Sequence, residues 1–534
     1  MSPETNTRST GPEPLWLDRH FATRFAGRFP SLALSQELSP SRERLKRCLR
    51  LWQWAALGPS LLCACAGSRH YGGLIGKRNA SALISDAACR AGLPEFFAEL
   101  LLSLGDASIR DIQPLPEAEA FERAIGLLLG QLPFTMPAQL AGASESFLAV
   151  SHSDVSGVIS LPTSGTTGAG KRIYCSSRDL ELTADFFRHG MQYMVLPGRR
   201  DHVALLMSGE RPGSVGDLLL RAMEALGVRC SVPGFVPLDR DGEDAMLDRL
   251  ISLAPTCLVG VPGQLLLLAR HAKAPLLAQK LRSVLLSGDA VTENMRHGIA
   301  AGLDCEVFIH YGLTETGLGG AVECRGHSGC HIREADLFHE IVDEAGNPVQ
   351  RGTYGEVVIT TLTREAMPLL RYRTGDEGRI VPGNCACGSV FDRIQVRGRM
   401  SERVSLPGGA YLHGTDLDAA LYALPFVQGY SAVLHESSGN SPVCLVLGLR
   451  FSSDAPADAL PMAEQALSAL EGVRVCKGKW EVPADGTAAR DFLHVFMQAE
   501  NRDRNNEGPP ASDALRLRQA KQSIARTNEP LLPV

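Results

Sequence analysis

The sequence predicts an α/β protein: a large N-terminal domain with layered α/β sheets and a small β-rich subdomain, followed after a hinge by a smaller α+β C-terminal domain. Three observations predict it. Strand-like and helix-like runs alternate through the middle of the chain, short strands broken by Gly and Pro follow Gly352, and a new helix and strand series begins near Arg403. At 534 residues the chain exceeds one typical domain and can bury a sizeable core.

The first ten residues are polar and expected to fray. From Pro40 to about Leu132, apolar residues recur at helical spacing in LKRCLRLWQWAALG, FFAELLLSLG and FERAIGLLLGQL, predicting a mostly helical opening region. Within it, Leu51 to Gly67 is almost free of charge. It falls short of the ~20 apolar residues of a spanning helix and contains Gln53 and Pro59, so the expectation is a buried helix pair and no membrane segment. The runs HVALLMSG, GDLLLRAMEALGV, PTCLVGVPG, QLLLLARHA, LRSVLLSGD, TENMRHGIAAGL and CEVFIHYG then alternate strand with helix, the pattern of a largely parallel sheet. GEVVITTL and GRIVPG supply the β-rich subdomain. A hinge at 398–402 separates domain 1–397 from domain 403–534, in which helix DLDAALYAL, strands YSAVLHES and VCLVLGLRF, helix MAEQALSAL and strand VRVCKGKW follow one another. The polar stretch 499–511 reads as a linker before a last helix, DALRLRQAKQSIA.

With 44% hydrophobic and 21% charged residues the composition is that of an ordinary soluble protein. A net charge of -6 with no basic stripe speaks against nucleic acid as a partner. The fourteen cysteines and the absence of a secretion signal in MSPETNTRST suit reduced thiols and a cytoplasmic location, where clustered cysteines serve as metal ligands rather than disulfides.

The most informative local sequence runs Pro162, Thr163, Ser164, Gly165, Thr166, Thr167, Gly168, Ala169, Gly170, Lys171. Glycines admit an anion to the backbone, hydroxyls and amides donate, and the lysine adds a point charge, a composition suited to polyphosphate. A solvent-exposed Ser/Gly turn is the plain alternative. Gly165, Gly170 and Lys171 also spell most of a P-loop, but Arg172 stands where that loop needs Ser or Thr for Mg²⁺. The segment instead resembles the signature loop of the acyl-adenylate-forming superfamily, which includes acyl-CoA synthetases, nonribosomal adenylation domains and luciferase.

Further motifs of that superfamily follow in the same order: Ser287-Gly288-Asp289, Tyr311-Gly312-Leu313-Thr314-Glu315, Tyr372-Arg373-Thr374-Gly375-Asp376 and Gly398-Arg399. The resemblance implies ATP and Mg²⁺, with Asp289 in an adenine-contacting segment, Tyr311 stacked on adenine beside Gly312, Thr314 at the α-phosphate and Glu315 on Mg²⁺. It further implies Asp376 on the ribose hydroxyls, Arg399 near the nucleotide and Lys171 neutralising phosphate charge. Taken singly, each motif could be a common turn or a solvated side chain.

Leu132-Pro133-Phe134-Thr135, Glu323-Cys324 running to His331-Ile332, Ile341-Val342-Asp343 and Met367-Pro368-Leu369 narrow the resemblance to the phenylacetate-CoA ligase branch. That branch implies an AMP-forming ligase acting on a small carboxylic acid, with coenzyme A or another thiol as acceptor. It also implies a structural Zn²⁺ on Cys324, His331, Cys385 and Cys387, with Cys330 as a substitute ligand and buried free thiols as the alternative. A homodimer is compatible with this reading.

The sequence also departs from the superfamily. Met400-Ser401-Glu402 replaces the usual Asp or Lys after Gly-Arg, Pro407 falls where a lysine is common, and the late catalytic lysine is missing after Lys479-Trp480-Glu481-Val482. Lys521 is its candidate replacement. Two further readings stay open on these grounds: a weakened or non-catalytic nucleotide-binding protein, and an adenylating enzyme with a different acceptor.

Overall fold

A computed structural model describes residues 16–29, 41–94, 97, 116–160, 171–195, 201–209, 212–237, 240–405, 411–435, 444–452, 454–470, 473–477 and 492–497. Thr163, Ser164, Gly165, Thr166, Thr167, Gly168, the linker at 499–511 and Lys521 lie outside the described residues.

The opening region is helical, with helices Trp16–Arg28, Arg42–Gly67, Arg69–Leu74, Lys77–Ala91 and Ala118–Gly130. The helix Arg42–Gly67 starts at Ser41, whose side chain accepts from the Arg44 N–H and so satisfies an orphan donor of the first turn. Its apolar residues point to nearly every side, and Leu49, Leu51, Trp54, Leu57 and Leu61 are fully buried. Such a helix belongs in a protein core. Trp52 Nε1 donates to the Ala335 carbonyl at 2.7 Å, and Ser60 Oγ to the Thr361 carbonyl at 2.8 Å, fixing the helix against the sheet.

The expected helix pair is instead one helix that continues through Pro59. Proline has no N–H, so the carbonyl of Ala55 loses its helical donor. Arg28 replaces it, donating from Nη2 at 2.8 Å. No helix among the described residues is long and apolar enough to cross a membrane.

Strands β1 (Gly157–Ser160) and β2 (Arg172–Cys175) form an antiparallel hairpin in which Ser160 faces Arg172. Next come β3 (His202–Leu206), β4 (Arg229–Ser231), β5 (Cys257–Gly260), β6 (Ser283–Leu286) and β7 (Glu306–Tyr311). These five are parallel, and β3, β5 and β6 are buried along their whole length, as a strand covered on both faces must be. After β7 the chain turns back, and β8 (Ala321–Glu323) pairs with it antiparallel, His310 opposite Val322 and Tyr311 opposite Ala321. Strands β9 (Cys330–Ile332), β10 (Leu337–Val342), β11 (Gly355–Thr361), β12 (Tyr372–Val381) and β13 (Arg393–Arg399) extend the sheet antiparallel.

The result is one mixed eleven-stranded sheet, β10-β11-β12-β13-β9-β8-β7-β6-β5-β3-β4. The β-rich segment is therefore continuous with the parallel half and begins at Ala321, ahead of the expected Gly352, because β8 continues the ladder on the open edge of β7.

Beyond a single 3₁₀ turn at Met400–Glu402, a second unit has its own core of Leu417, Leu421, Val427, Leu449, Ala463 and Leu467. It carries a four-stranded antiparallel sheet made from residues 427–435, 444–451, 473–477 and 492–497. Gly398, at the mouth of the connection, has φ 144°, a backbone geometry that favours glycine. Asn294 Nδ2 donates to the Ala419 carbonyl and Arg270 Nη2 to that of Tyr422, each at 2.6 Å, joining the unit to the larger domain.

The opening helices are tied to the antiparallel half by Arg50, which is 3% exposed. Its guanidinium reaches Glu334 at 2.6 Å, Glu122 at 2.7 Å, Gln53 at 2.8 Å and Asp392 at 3.1 Å. Removing one partner from such a network leaves buried charge uncompensated. Arg50→Ala is expected to lower the unfolding free energy by about 3–5 kcal/mol in urea denaturation. Arg351→Ala, whose guanidinium shares Asp392 but is half exposed, should cost about 1 kcal/mol or less.

Candidate active site

The loop after β7 carries the first group of side chains. A Cβ on Gly312 would lie 2.1 Å from the Leu318 carbonyl oxygen, so only glycine lets the chain double back there. Thr316 Oγ1 accepts from the Leu313 N–H at 2.9 Å and sets the turn that presents Glu315. Glu315 is buried, and its Oε1 accepts from Lys171 Nζ at 2.9 Å and from the Tyr372 hydroxyl at 2.6 Å. Lys171 Nζ also donates to the Tyr372 oxygen at 2.9 Å. Burial works to raise the Glu315 carboxyl, but the Lys171 charge and the Tyr372 hydrogen bond outweigh it and hold it below the usual carboxylate range.

Strand β12 joins this group to a second one. Its exposure alternates so that Tyr372, Thr374 and Asp376 all lie on the buried face. Asp376 Oδ2 accepts from the Tyr311 hydroxyl at 2.8 Å, and Asp376 Oδ1 lies 3.0 Å from Arg399 Nε. Arg399 sits directly across the ladder from Asp376 and also donates to the Thr374 carbonyl at 3.0 Å. Segments distant along the chain thus converge: Lys171 before β2, Tyr311 and Glu315 after β7, and Asp376 and Arg399 on β12 and β13.

Thr314 is half-buried in the loop beside Glu315. Asp289 lies in the turn after β6, where its Oδ1 accepts from the Ala290 N–H at 2.8 Å and its charge acts on Tyr422 and Tyr430 of the second unit. Two participants carry no role in the motif reading. Tyr372 stood four residues before Asp376, a strand spacing that puts both on one face, whereas Arg364, whose Nη1 donates to the Glu315 carbonyl at 2.7 Å, had no sequence signal.

The cysteine and histidine residues also meet. Ligand atoms of Cys324, His331, Cys385 and Cys387 all lie within 4.8 Å of one another. The Cys324 and Cys385 sulfurs are 3.5 Å apart, and Cys387 Sγ is 3.3 Å from His331 Nε2. A tetrahedron of thiolates about 2.3 Å from zinc has edges of about 3.7 Å, so the set fits that ion. His331 Nδ1 bonds the Phe391 carbonyl at 3.0 Å, which aims Nε2 at the cluster. Cys330 is not part of it; its thiol points to the Ile309 carbonyl at 3.4 Å.

A small pocket, with room for about one water molecule, lies beside β7, walled by Phe186, Phe187, Met191, Leu219, Val259 and Leu285, with Ser287 and His310 as polar members. A second small pocket, lined by Arg24, Arg333 and Asp336 among others, shares Phe186 with the first.

Parts of the chain resemble known proteins. Residues 156–363, which include the hairpin, Glu315 and the parallel half of the sheet, match the family described as AMP-binding enzyme. Over 320 residues the chain is 28% identical to a phenylacetate-coenzyme A ligase of Thermus thermophilus, covering 58% of this chain and 69% of that one. The chain is similar to the AMP-binding enzymes, and among them to phenylacetate-CoA ligases. A phenylacetate-coenzyme A ligase of Escherichia coli is 38% identical over 120 residues, 22% of this chain and 28% of that one. The AMP-binding fold itself matches a solved 2-hydroxyisobutyryl-CoA ligase in the postadenylation state with 2-HIB-AMP, at a TM-score of 0.61 and 18% identity, covering 87% of this chain and 90% of that one.

Burial pushes the Asp376 carboxyl up to about 6, against the opposing pull of Arg399 and Tyr311. A carboxyl whose folded value lies above its ordinary 3.8 favours the native state fully below pH 3.8, and that contribution is lost as pH rises through about 6. Asp376→Asn removes the cost of the buried charge. The variant should be more stable than the parent by about 1–3 kcal/mol at pH 8, with the difference shrinking towards zero at pH 4, as read by urea unfolding across pH.

Proposed function

We propose that the chain activates a small carboxylic acid with ATP as its acyl-adenylate and passes the acyl group to coenzyme A. The observation that carries this reading is the joining of Lys171–Glu315–Tyr372 to Tyr311–Asp376–Arg399 through one face of β12. A cation and a hard-oxygen ligand stand beside a carboxylate able to accept from both ribose hydroxyls, as a nucleoside triphosphate requires. The acid's carboxylate oxygen attacks the α-phosphorus, the bond to the bridging oxygen breaks, and pyrophosphate leaves. Lys171 neutralises phosphate charge, Thr314 donates at the α-phosphate, and Tyr311 offers its ring to adenine. Thr163, Ser164, Gly165, Thr166, Thr167 and Gly168 are proposed to cradle the phosphates from the hairpin, and Asp289 to border the adenine. Glu315 is the residue that would hold Mg²⁺, which when bound neutralises the departing pyrophosphate. In the second step the acceptor's sulfur attacks the acyl carbon, the bond to AMP breaks, and the thiol proton is released.

The domain boundary at 398–402 gives the smaller unit a pivot for the change between the two steps. Met400, Ser401 and Glu402 at that pivot, and Lys521 as the late lysine, are where this chain is its own variant. The intact Lys171–Glu315–Tyr372 group speaks against a purely nucleotide-binding scaffold. A cytoplasmic setting fits the twelve cysteines among the described residues, none of which forms a disulfide.

The decisive experiment is acid-dependent exchange of labelled pyrophosphate into ATP over a panel of aryl and branched acids. Exchange is expected, with Glu315→Gln reducing kcat roughly 10²–10³-fold and Asp376→Asn raising the KM for ATP roughly ten- to a hundredfold. Undiminished ATP binding with no exchange for any acid would establish the scaffold instead.

Zinc on Cys324, His331, Cys385 and Cys387 is proposed as a structural group, since four protein ligands leave no open position for chemistry. Elemental analysis should give one zinc per chain. Cys385→Ser should lower both zinc content and Tm; a metal-free protein with unchanged Tm would overturn the assignment.

A further inference from the structure

A second cluster of metal-ligating side chains shares no residue with the candidate active site or with the cysteine set. Asp185 and His189 sit four residues apart on helix Ser177–Gly190, a spacing that puts both on one face, and His20 meets them from helix Trp16–Arg28. One nitrogen of each ring and one carboxylate oxygen all lie within 4.8 Å of one another. The imidazole centroids are 4.0 Å apart, and His20 Nε2 is 3.6 Å from Asp185 Oδ2. That gap is too long for a hydrogen bond, yet close to the ~3.4 Å between two ligands of a tetrahedral zinc ion. Asp185 Oδ1 accepts from Arg188 Nη2 at 2.6 Å, which orients the carboxylate and leaves Oδ2 towards His20. Arg188 Nη2 also lies 3.3 Å from His189 Nε2, whereas His189 Nδ1 is buried without a hydrogen-bond partner. Native proteins rarely keep a buried nitrogen unpaired unless a water or an ion comes to meet it.

Both helices are anchored independently of these three side chains. Phe21 packs on Trp52 and Phe391, the Val390 N–H donates to Asp18 at 3.0 Å, and Arg24 is paired with Asp336. The other helix is pinned by its Ser176–Asp179 capping box and by buried Phe186 and Phe187. Ligands carried on anchored helices give the precision that a metal site requires.

We infer that His20, Asp185 and His189 bind a divalent late transition-metal ion of the zinc, cobalt or nickel kind, which clasps helix Trp16–Arg28 to helix Ser177–Gly190. Two imidazoles and one carboxylate suit such ions, whereas Mg²⁺ and Ca²⁺ call for oxygen ligands. Burial holds both imidazoles down at about 4, so near neutral pH they are lone-pair donors and not cations paired with Asp185. The nearest guanidiniums are engaged by carboxylates, Arg188 by Asp185 and Arg24 by Asp336, which offsets their charge. Three protein ligands leave a fourth position for water, unlike the closed cysteine set. His20 and Asp185 are partly exposed, which gives the ion and that water a way in.

The test uses the full chain without an affinity tag. Zinc retained after dialysis against a chelator is counted by elemental analysis, and Zn²⁺ is then titrated near neutral pH by calorimetry. Retained and added zinc together, the parent should bind one equivalent more than His20→Ala or His189→Ala, either of which should weaken that equivalent roughly a hundredfold or more. Added Zn²⁺ should raise the Tm of the parent and not that of the variants. Alanine suits both helices, and an unchanged Tm before zinc is added checks that each variant folds. Should either fail to fold, Asp185→Asn, which keeps the shape of its side chain, is read in its place. Co²⁺ bound at this site should give d–d absorption without the thiolate charge-transfer bands of a cysteine site. Equal zinc totals and affinities in parent and variants, or thiolate bands from the equivalent that the variants lose, would overturn the site. Zinc held equally by parent and variants bears on the cysteine set alone, so the two assignments stand or fall separately.

Discussion

The antiparallel pairing of β8 with β7 is the constraint on which the rest of the molecule depends. It halts the parallel ladder at Tyr311 and turns the chain back through Gly312 to Gly320. The turn lifts Glu315 towards Lys171 on one side and leaves Tyr311 facing Asp376 on the other. Alternation along β7 does the remaining work. His310 and Tyr311 are consecutive and so point to opposite faces, one towards the apolar pocket and one to Asp376. A single strand end therefore sets the two side chains against each other, and the sheet's register fixes their separation more firmly than a loop could.

Buried charge is concentrated in the antiparallel half. Arg50 with Glu334 and Asp392, Arg24 and Arg333 with Asp336, and Arg371 with Glu340 each join segments far apart in sequence. Such pairs add little net stability over apolar replacements, but each tolerates only one arrangement of its partners. They suit a sheet edge whose strands must meet the site in one register. The parallel half relies instead on residues such as Leu258, Val284 and Phe308, which are fully buried and apolar.

Much of this was legible in the sequence. Periodicity separated the strands of the parallel half from the helices between them because each run was long and uniformly apolar. Asp376, Glu315 and Lys171 stood out because each lies in a flanking pattern that few turns share, and the structure brings Lys171 to Glu315 and Arg399 to Asp376. Pro59 misled because proline normally ends a helix, and the donor that rescues the Ala55 carbonyl, Arg28, comes from another helix with no local trace. The continuity of the sheet past Tyr311 was hidden for a similar reason, since short strands reveal their partners only through pairing. His20 was passed over because its nearness to Asp185 and His189, on another helix, exists only in three dimensions.

Phe186 forms part of the wall of both pockets, with the Arg333 guanidinium 5.4 Å from its ring on the polar side. One aromatic side chain thus partitions a greasy pocket from a charged one. Shortening it would join the two into one recess with basic groups at its far end, and would loosen the packing of the turn at Gly319, whose backbone lies against the Phe186 ring.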